Sequence, residues 1–384
     1  MKLTNNRFYL DFNATSPLAD SVKEYLARGE FFFANPASVH AEGKAAKRAL
    51  IDTSEYLYQL FRLKESEFIL VYHSGATEAI NSVIKGFALK GSIKHFFHFG
   101  TDHSSVRSQK EHLDALGVKV HVLPVNQDGS FDKQKIIELI KKEDGPKLIN
   151  FTWLNNETGV IHDLKTMAEI KAVTGAYVHV DAVQSIGKMS DWKNLDSTLD
   201  IYTYSGHKFG SLKNVGMSFI RHNLPISALI RGGGQQHGLR SGTENAMGIT
   251  TLFLALIELN EKFNPTELSK AKNEFESRLV NLIGDKGEVV GFKNQFRSLN
   301  TINFLLYETK SQVVSTALDL GGIDVSTGSA CSSGAVKPSP VLMSMGYTEE
   351  HSKSAIRVSF SYQFNMDEIE ETWTAFSKVL SRFI

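Results

Sequence analysis

Lys208 is the main candidate for a reacting residue in this chain. It follows Ile201–Tyr204, a β-branched and aromatic stretch typical of a buried strand, with Gly206 at its boundary. A lysine at the end of such a strand has a desolvated amine, and desolvation lowers its pKa and suits it to Schiff-base chemistry. From these residues alone, a solvated loop lysine is an equal alternative.

A phosphate site is indicated where Ser74-Gly-Ala-Thr-Glu78 joins a strand to a helix. Gly75 permits a tight turn, and the backbone N–H groups of Ala76 and Thr77 open the helix, where free N–H groups favour an anion. The alternative is an ordinary helix N-cap. The glycine-broken loop from Arg231 to Glu244 has the composition of a second phosphate contact, but this signal is weak.

Two further side chains could act on a flat, ring-shaped cofactor. Asp181 ends the predicted strand Tyr177–Val180, where a carboxylate can hold a protonated ring nitrogen; a helix N-cap is the alternative. His103 follows another strand and could stack on a ring and transfer protons near neutral pH. His95 and His98 fall on opposite faces of one strand, so we interpret both as structural and predict no metal site.

Substrate contacts are expected from three residues farther along the chain. Asn156 lies in an Asn-rich turn and could bind a carboxylate or a ring hydroxyl, although it could also be a simple turn residue. Arg357 alternates on a probable strand and offers the planar fork that binds carboxylates. Cys331 stands among small, glycine-bracketed residues, a setting that favours an exposed, reactive thiol over a buried one.

The elements that must position these residues alternate between short apolar strands and helices from Phe68 to Arg221. This rhythm predicts an α/β fold with a mostly parallel, seven-stranded sheet covered by helices on both faces. Ligands in such sheets bind beyond the carboxyl ends of the strands, where the residues above fall. We assign residues 12–259 to a large cofactor-binding domain, and 1–11 with 260–384 to a smaller α+β domain that carries the Cys331 loop.

Composition restricts the class of protein. The chain has 384 residues, 42 Lys plus Arg against 42 Asp plus Glu, and a single cysteine. Zero net charge without a basic tract argues against nucleic acid as a direct partner. The absence of an apolar run of roughly 18 residues predicts no membrane span, and the N-terminal sequence has no signal-peptide core. One cysteine excludes an internal disulfide, so we expect a reduced, cytoplasmic protein.

Together these segments resemble the cysteine desulfurases, pyridoxal-phosphate enzymes among the class V aminotransferases. The resemblance extends over nearly the whole chain and keeps the family's order of motifs: Leu10–Pro17, Ser74–Glu78, Asn155–Glu157, Asp181 with Gln184, Ser205–Lys208, Arg240–Thr243 and Gly328–Cys331. The joint order carries the assignment, since no single motif is decisive.

The resemblance implies a role for each matching residue in binding pyridoxal 5′-phosphate. Lys208 would form the Schiff base, Asp181 would pair with the ring nitrogen, and Gln184 would bond the ring hydroxyl. His103 would stack on the ring and act in proton transfer. The phosphate would be held by Ala76, Thr77, Ser205 and His207, and by Thr243 across a homodimer interface.

The implied reaction converts L-cysteine to L-alanine. Asn156 and Arg357 would bind the substrate carboxylate, and Cys331 would take the sulfur as a persulfide and pass it to an acceptor protein. The form of the cysteine segment resembles the branch with a long catalytic loop, which supplies iron–sulfur cluster assembly and tRNA thiolation. One departure stands after Lys208, where Ser211-Leu-Lys-Asn214 replaces the family's Gly-Pro-Lys-Gly turn.

Three alternatives remain at this level. A selenocysteine lyase or an aminotransferase could share the fold, but an aminotransferase needs no thiol at Cys331, and a lyase can act without one. A non-catalytic platform in cluster assembly would need neither Lys208 nor Cys331.

Overall fold

The computed structural model describes residues 2, 6–327 and 337–384. Within these residues, the largest sheet has seven strands in the order β2-β8-β7-β6-β5-β3-β4. Their bounds are β2 Phe68–His73, β3 His95–Phe99, β4 Lys119–Leu123, β5 Lys147–Thr152, β6 Tyr177–Asp181, β7 Ile201–Ser205 and β8 Gly216–Arg221.

The large sheet is mostly parallel, as predicted. Strand β8 is the exception, since it pairs antiparallel with both β2 and β7. Strands β3 and β7 are buried along their whole length, and their apolar and aromatic residues pack on both faces of the sheet. The helices of this part are α1 Asp20–Arg28, α2 Ala41–Phe61, α3 Ala76–Lys90, α4 Ser104–Arg107, α5 Lys110–Ala115, α6 Lys133–Lys141, α7 Leu164–Thr174 and α8 Ala246–Lys262.

The spacing of apolar residues from Ser105 to Leu116 predicts a single helix, whereas the structure has two helices there, α4 and α5. The break lies at Gln109, a buried residue whose side-chain amide donates to the Ser105 carbonyl at 2.7 Å. That carbonyl is the acceptor that the Gln109 backbone N–H would use in a continuous helix. The backbone N–H bonds the Val106 carbonyl instead, so the helix ends and restarts.

A second, antiparallel sheet has the strand order β12-β13-β10-β9. These strands are β9 Gly287–Val289, β10 Thr301–Leu306, β12 Ser326–Thr327 and β13 Ala355–Ser359, with a parallel pair formed by β1 Phe8–Tyr9 and β11 Ile323–Asp324. The helices here are α9 Pro265–Ile283, α10 Ser311–Leu320, α11 Pro340–Ser344, α12 Glu349–Lys353 and α13 Ile369–Leu380.

The two sheets have separate apolar cores. Phe61, Tyr204 and Phe219 pack together in the core of the large sheet. Phe275 and Phe376 pack edge to face in the core of the smaller one, which also contains Phe8 from β1. The N-terminal strand thus packs with the C-terminal part of the chain. The division into 12–259 and 1–11 plus 260–384 stays a prediction.

None of the helices in the described part of the chain is long and apolar enough to cross a membrane.

Candidate active site

A cavity of about 620 Å³ lies beyond the carboxyl ends of the parallel strands. This is the location at which open α/β sheets bind ligands. Most of the predicted site residues line it: Ala76, Thr77, His103, Asn156, Asp181, Gln184, Ser205, His207 and Lys208. Segments that are far apart in sequence therefore converge on one cavity.

Lys208 ends a single 3₁₀ turn, Gly206–Lys208, directly after β7. Its Nζ donates to the backbone carbonyls of Asn13 and Ala14, each at 2.8 Å. Burial and, to a smaller extent, the charge of Arg357 lower the pKa of Lys208, whereas Asp11 and Asp181 raise it, and the resulting pKa is about 8. The amine is therefore less basic than an exposed lysine and more readily available as a nucleophile.

Asp181 is the last residue of β6 and is buried. Its Oδ1 accepts from the Val183 N–H at 3.1 Å. Burial raises the pKa of Asp181 to about 7, and the nearby Asp102 also raises it. A carboxylate in this setting is stabilised by a cation, so the site is suited to a positively charged ring nitrogen.

Asp102 lies behind Asp181 and joins two strand ends. Its carboxylate accepts from the Phe99 N–H at 3.0 Å, from Asn150 Nδ2 at 2.9 Å and from Thr152 Oγ1 at 2.7 Å. Burial raises its pKa to about 6. These three bonds fix the end of β3 against β5, immediately before His103.

Gln184 is held at both ends of its side-chain amide. Its Nε2 donates to the Asn13 carbonyl at 2.9 Å, and its Oε1 accepts from Lys188 Nζ. Lys188 is fully enclosed, and burial places its pKa well below that of an exposed lysine. The orientation of Gln184 toward the cavity is therefore set by groups behind it.

The anion-binding end of the cavity is formed by the start of α3, whose first residue is Ala76. Gly216 of β8 approaches this turn so closely that an added Cβ would lie 2.8 Å from the Cα of Gly75. His207 completes the wall, with its Nδ1 at 3.1 Å from Thr15 Oγ1. Burial lowers the pKa of His207 to about 4, so the ring is neutral near pH 7.

His103 caps α4 and lines the cavity. The Ser105 N–H donates to His103 Nδ1 at 3.2 Å, so in the neutral ring the proton resides on Nε2. The ring is open to the cavity although protein atoms surround it. Burial and the charges of Lys208 and Arg107 lower its pKa. A neutral imidazole of this kind can accept a proton near pH 7.

Arg357 lies on β13, at the boundary between the two sheets. Its Nη2 donates to Asp11 Oδ1 at 2.7 Å, and its Nη1 donates to the Asn156 carbonyl at 3.0 Å. Its Nε is buried and has no hydrogen-bond partner among the described residues. Nη1 of Arg357 thus holds the loop that carries Asn156, and Nη2 holds Asp11. Arg357 itself is not among the residues that line the cavity.

Thr243 lies outside this cavity. It is exposed and lines a neighbouring cavity of about 190 Å³, which shares Ser74 and Asn214 with the first. Arg240, from the same glycine-broken loop, donates from Nε to Glu78 at 2.9 Å. The guanidinium of Arg240 therefore neutralises a carboxylate in the first turn of α3.

Comparison with known proteins decides the family. The family model of the class-V aminotransferases matches residues 8–371. The chain belongs to the class-V aminotransferase family. It is therefore a pyridoxal 5′-phosphate-dependent enzyme with a fold of the NifS-like type.

Known relatives are similar to this enzyme over nearly their full length. The cysteine desulfurase IscS of Dictyoglomus turgidum is 31% identical, with 97% of this chain and 94% of the relative covered. The cysteine desulfurase NifS of Azotobacter vinelandii is 30% identical, with 94% and 90% covered. A NifS-like protein from Rickettsia africae superposes with a TM-score of 0.85 at 27% identity, covering 97% and 99% of the two chains.

The residues of the cavity fit the family's cofactor. The fit is visible in Asp181, a buried carboxyl group whose raised pKa calls for a cationic partner, and in the open N-terminus of α3 beside Ser205. Lys208, whose amine could bind an aldehyde, lines the same cavity. When bound, pyridoxal phosphate withdraws electrons from the α-carbon of the amino acid that it carries.

The turn that departs from the family pattern is anchored in a different way. Asn214 adopts a left-handed backbone with φ of 62°, a conformation that asparagine tolerates better than most residues other than glycine. Ser211 is buried, and its hydroxyl lies 2.8 Å from Thr251 Oγ1 of α8. Lys213 and Asn214 line the cavity. A hydrogen bond to α8 thus fixes this turn.

Cys331, the predicted acceptor of the sulfur, lies outside the described residues. The sequence predicted no role for three further residues in contact with the cavity lining: Asn13, Asp102 and Lys188. Of these, Asn13 is within the Leu10–Pro17 motif. Asn13 could have been found from that motif, whereas no local pattern marks a buried lysine such as Lys188.

Proposed function

We propose that this enzyme is a cysteine desulfurase that releases L-alanine from L-cysteine and transfers the sulfur to Cys331 as a persulfide. The observation that carries the proposal is the convergence of a low-pKa lysine, a buried Asp181 and the α3 N-terminus on one cavity. The cysteine desulfurase activity of relatives along nearly the full chain supports the choice of substrate.

Each of these residues would have one role in holding pyridoxal phosphate. Asp181 would pair with the protonated ring nitrogen, and Gln184 would bond the ring hydroxyl. The backbone of Ala76 and Thr77 and the Thr77 hydroxyl, with Ser205 and His207, would hold the phosphate. Lys208 would attach the cofactor, and His103 would stack on the ring and transfer protons at Nε2.

The substrate carboxylate is bound at the side facing the smaller sheet. Asn156 lines the cavity there, and the Arg357 guanidinium lies directly behind it, with Nη1 on the Asn156 carbonyl. The sulfur of the bound cysteine is the atom that Cys331 would accept. Attack of the Cys331 thiolate on that sulfur breaks the carbon–sulfur bond, and the bonding electrons remain with the carbon fragment that becomes alanine.

Delivery of the persulfide requires a partner. We include in the proposal a sulfur-acceptor protein of iron–sulfur cluster assembly or tRNA thiolation. We also include a homodimer, in which Thr243 reaches the phosphate site of the partner subunit. The relatives named IscS and NifS support the first of these pathways. A cytoplasmic location is part of the proposal because a reactive thiol needs a reducing compartment.

The decisive experiment measures alanine released from L-cysteine in the presence of a reductant, for the native enzyme and Cys331→Ser. We expect alanine from the native enzyme only. Equal release from both would contradict the role of Cys331 and favour a selenocysteine lyase. No alanine from either, with cofactor bound, would contradict L-cysteine as the substrate.

A second measurement separates the cofactor chemistry from the thiol. Lys208→Ala should lose the yellow absorbance of the bound cofactor, whereas Cys331→Ser should keep it. Lys213 lines the same cavity, so Lys213→Ala controls for the loss of a positive charge and should keep the absorbance. Unchanged colour in Lys208→Ala would overturn the assignment of Lys208.

A further inference from the structure

Two histidines and a glutamate meet on one face of the large sheet, away from the cofactor cavity. In the parallel pair β3–β4, His95 lies opposite Lys119 and Phe97 lies opposite His121. Residues two apart on a strand share a face, so His95 and His121 are diagonal neighbours there. Glu143, which follows α6, reaches the same face, and one ligand atom from each of the three lies within 4.8 Å of the others.

The position of this cluster separates it from the chemistry already described. His95 is the first residue of β3, whereas the cavity lies beyond the carboxyl ends of the strands. Strand β4 is also the edge strand of the sheet, which leaves the cluster close to solvent. The cluster is therefore a separate site at the opposite end of β3.

The distances within the cluster match those between ligands of a small metal ion. His95 Nδ1 lies 3.1 Å from His121 Nε2 and 3.5 Å from Glu143 Oε2. Two atoms bound to zinc at about 2.0–2.1 Å in a tetrahedral arrangement are about 3.3 Å apart. Small rotations of the three side chains would therefore place an ion between them.

The surroundings already prepare His95 to act as a ligand and hold the ring of His121 in place. His95 Nε2 lies 2.9 Å from the Asp144 carbonyl, which can only accept, so Nε2 carries the proton and the lone pair is on Nδ1. That lone pair faces His121 and Glu143. Donation of the second ring N–H to a carbonyl is how proteins orient metal-binding histidines. Phe97 stacks on the His121 ring, with 4.4 Å between centroids and 12° between planes.

Lys119 opposes metal binding. Its Nζ donates to Glu143 Oε1 at 2.8 Å, so this ion pair competes with a metal ion for the carboxylate. The Lys119 side chain is 64% exposed, whereas those of His95 and His121 are 11% and 18% exposed. Lys119 can therefore turn into solvent when a cation binds, while the two imidazoles stay in place.

We propose that His95, His121 and Glu143 bind one divalent transition-metal ion, with water completing the coordination. Two imidazoles and one carboxylate in a compact triangle fit zinc, whose bonds need no fixed orientation beyond a near-tetrahedral ligand set. The ion links β3, β4 and the segment after α6, and so stabilises the edge of the large sheet. Binding to the folded state alone stabilises that state by mass action.

The experiment uses the full-length, cofactor-loaded enzyme after treatment with a chelator. Zinc binding is measured by equilibrium dialysis in a Cys331→Ala background, because a free thiol also binds zinc. We expect one saturable equivalent, weakened at least tenfold in His121→Gln and in Glu143→Gln. Lys119→Met should bind zinc about tenfold more tightly, because it removes the competing charge and keeps all three ligands. His112→Ala, which changes an exposed histidine of α5, should leave the affinity unchanged.

Cobalt gives a readout that does not depend on the stability of the variants. Co²⁺ added to the chelator-treated enzyme should produce the visible bands of a low-coordinate imidazole site, and His121→Gln should lose them. Absence of saturable zinc in the Cys331→Ala enzyme would overturn the proposal. Zinc affinity that His121→Gln and Lys119→Met both leave unchanged would also overturn it.

Discussion

Lys208 lies among charges whose effects on its pKa oppose one another. Burial and the positive charge of Arg357 lower the pKa, while Asp11 and Asp181 raise it, and the result is about 8. Since the pKa is below the ordinary lysine value, the neutral amine becomes abundant at a lower pH than on an exposed lysine. The pKa of Lys208 is thus set by residues from both sheets.

This balance predicts how cofactor attachment depends on pH. The rate at which cofactor-free enzyme attaches pyridoxal phosphate should rise with pH, with a midpoint near 8, because only the neutral amine is a nucleophile. Arg357→Gln should move the midpoint upward, and Arg357→Lys, which keeps a positive charge, should move it less. Borohydride reduction followed by mass spectrometry measures the attached fraction. A midpoint near about 10.4, the ordinary value, would contradict the effect of burial.

At the scale of elements, the site depends on how turns are fixed against strands and helices. The turn after Lys208 relies on the left-handed Asn214 and on the bond between Ser211 and Thr251 of α8. Asp102 similarly fixes the end of β3 to β5 before His103 enters the cavity. The segments next to Lys208 and His103 are thus fixed by elements to which these residues do not belong.

The left-handed backbone at Asn214 predicts a difference between two small substitutions. Asn214→Ala should destabilise the enzyme by about 1 kcal/mol, because an L side chain without a local hydrogen bond disfavours this conformation. Asn214→Gly, which also removes the side chain, should cost less or nothing. Urea unfolding of the two variants measures the difference. Equal stability would show that the turn changes its conformation in the variants.

At the scale of the whole molecule, Asn13 connects the two sheets to the reacting lysine. Its N–H donates to Ser359 Oγ and its Nδ2 to Thr301 Oγ1, both on the smaller sheet. Its carbonyl accepts from Lys208 at the end of β7 in the large sheet. A shift of one sheet against the other would therefore move the hydrogen-bond acceptor of the Lys208 amine.

The proposed homodimer predicts complementation between two defective variants. If Thr243 serves the partner subunit, Thr243→Ala mixed with Lys208→Ala forms a dimer in which one site has native Lys208 and native Thr243. That site should bind the cofactor with native affinity, whereas the Thr243→Ala homodimer binds it more weakly. Mixed dimers purified with two affinity tags and titrated with pyridoxal phosphate test this. Affinity no better than that of Thr243→Ala would place Thr243 in its own subunit's site.

The sequence by itself determined the alternation of strands and helices and the residues at the strand ends. Strand ends of a parallel sheet meet at one edge, so Asp181, His103 and Lys208 could be placed together from local patterns alone. The helix break at Gln109 was not predictable, because it depends on a side chain that replaces a backbone donor.

Only the tertiary structure decided which distant groups complete these patterns. Lys208 bonds Asn13, 195 positions away, and Arg357 bonds Asp11, 346 positions away. His95 finds its neighbour in His121 on the next strand and not in His98 on its own. Pairings of this kind depend on strand register and on the packing of one sheet against another, which are properties of the whole folded chain and leave no local periodicity in the sequence.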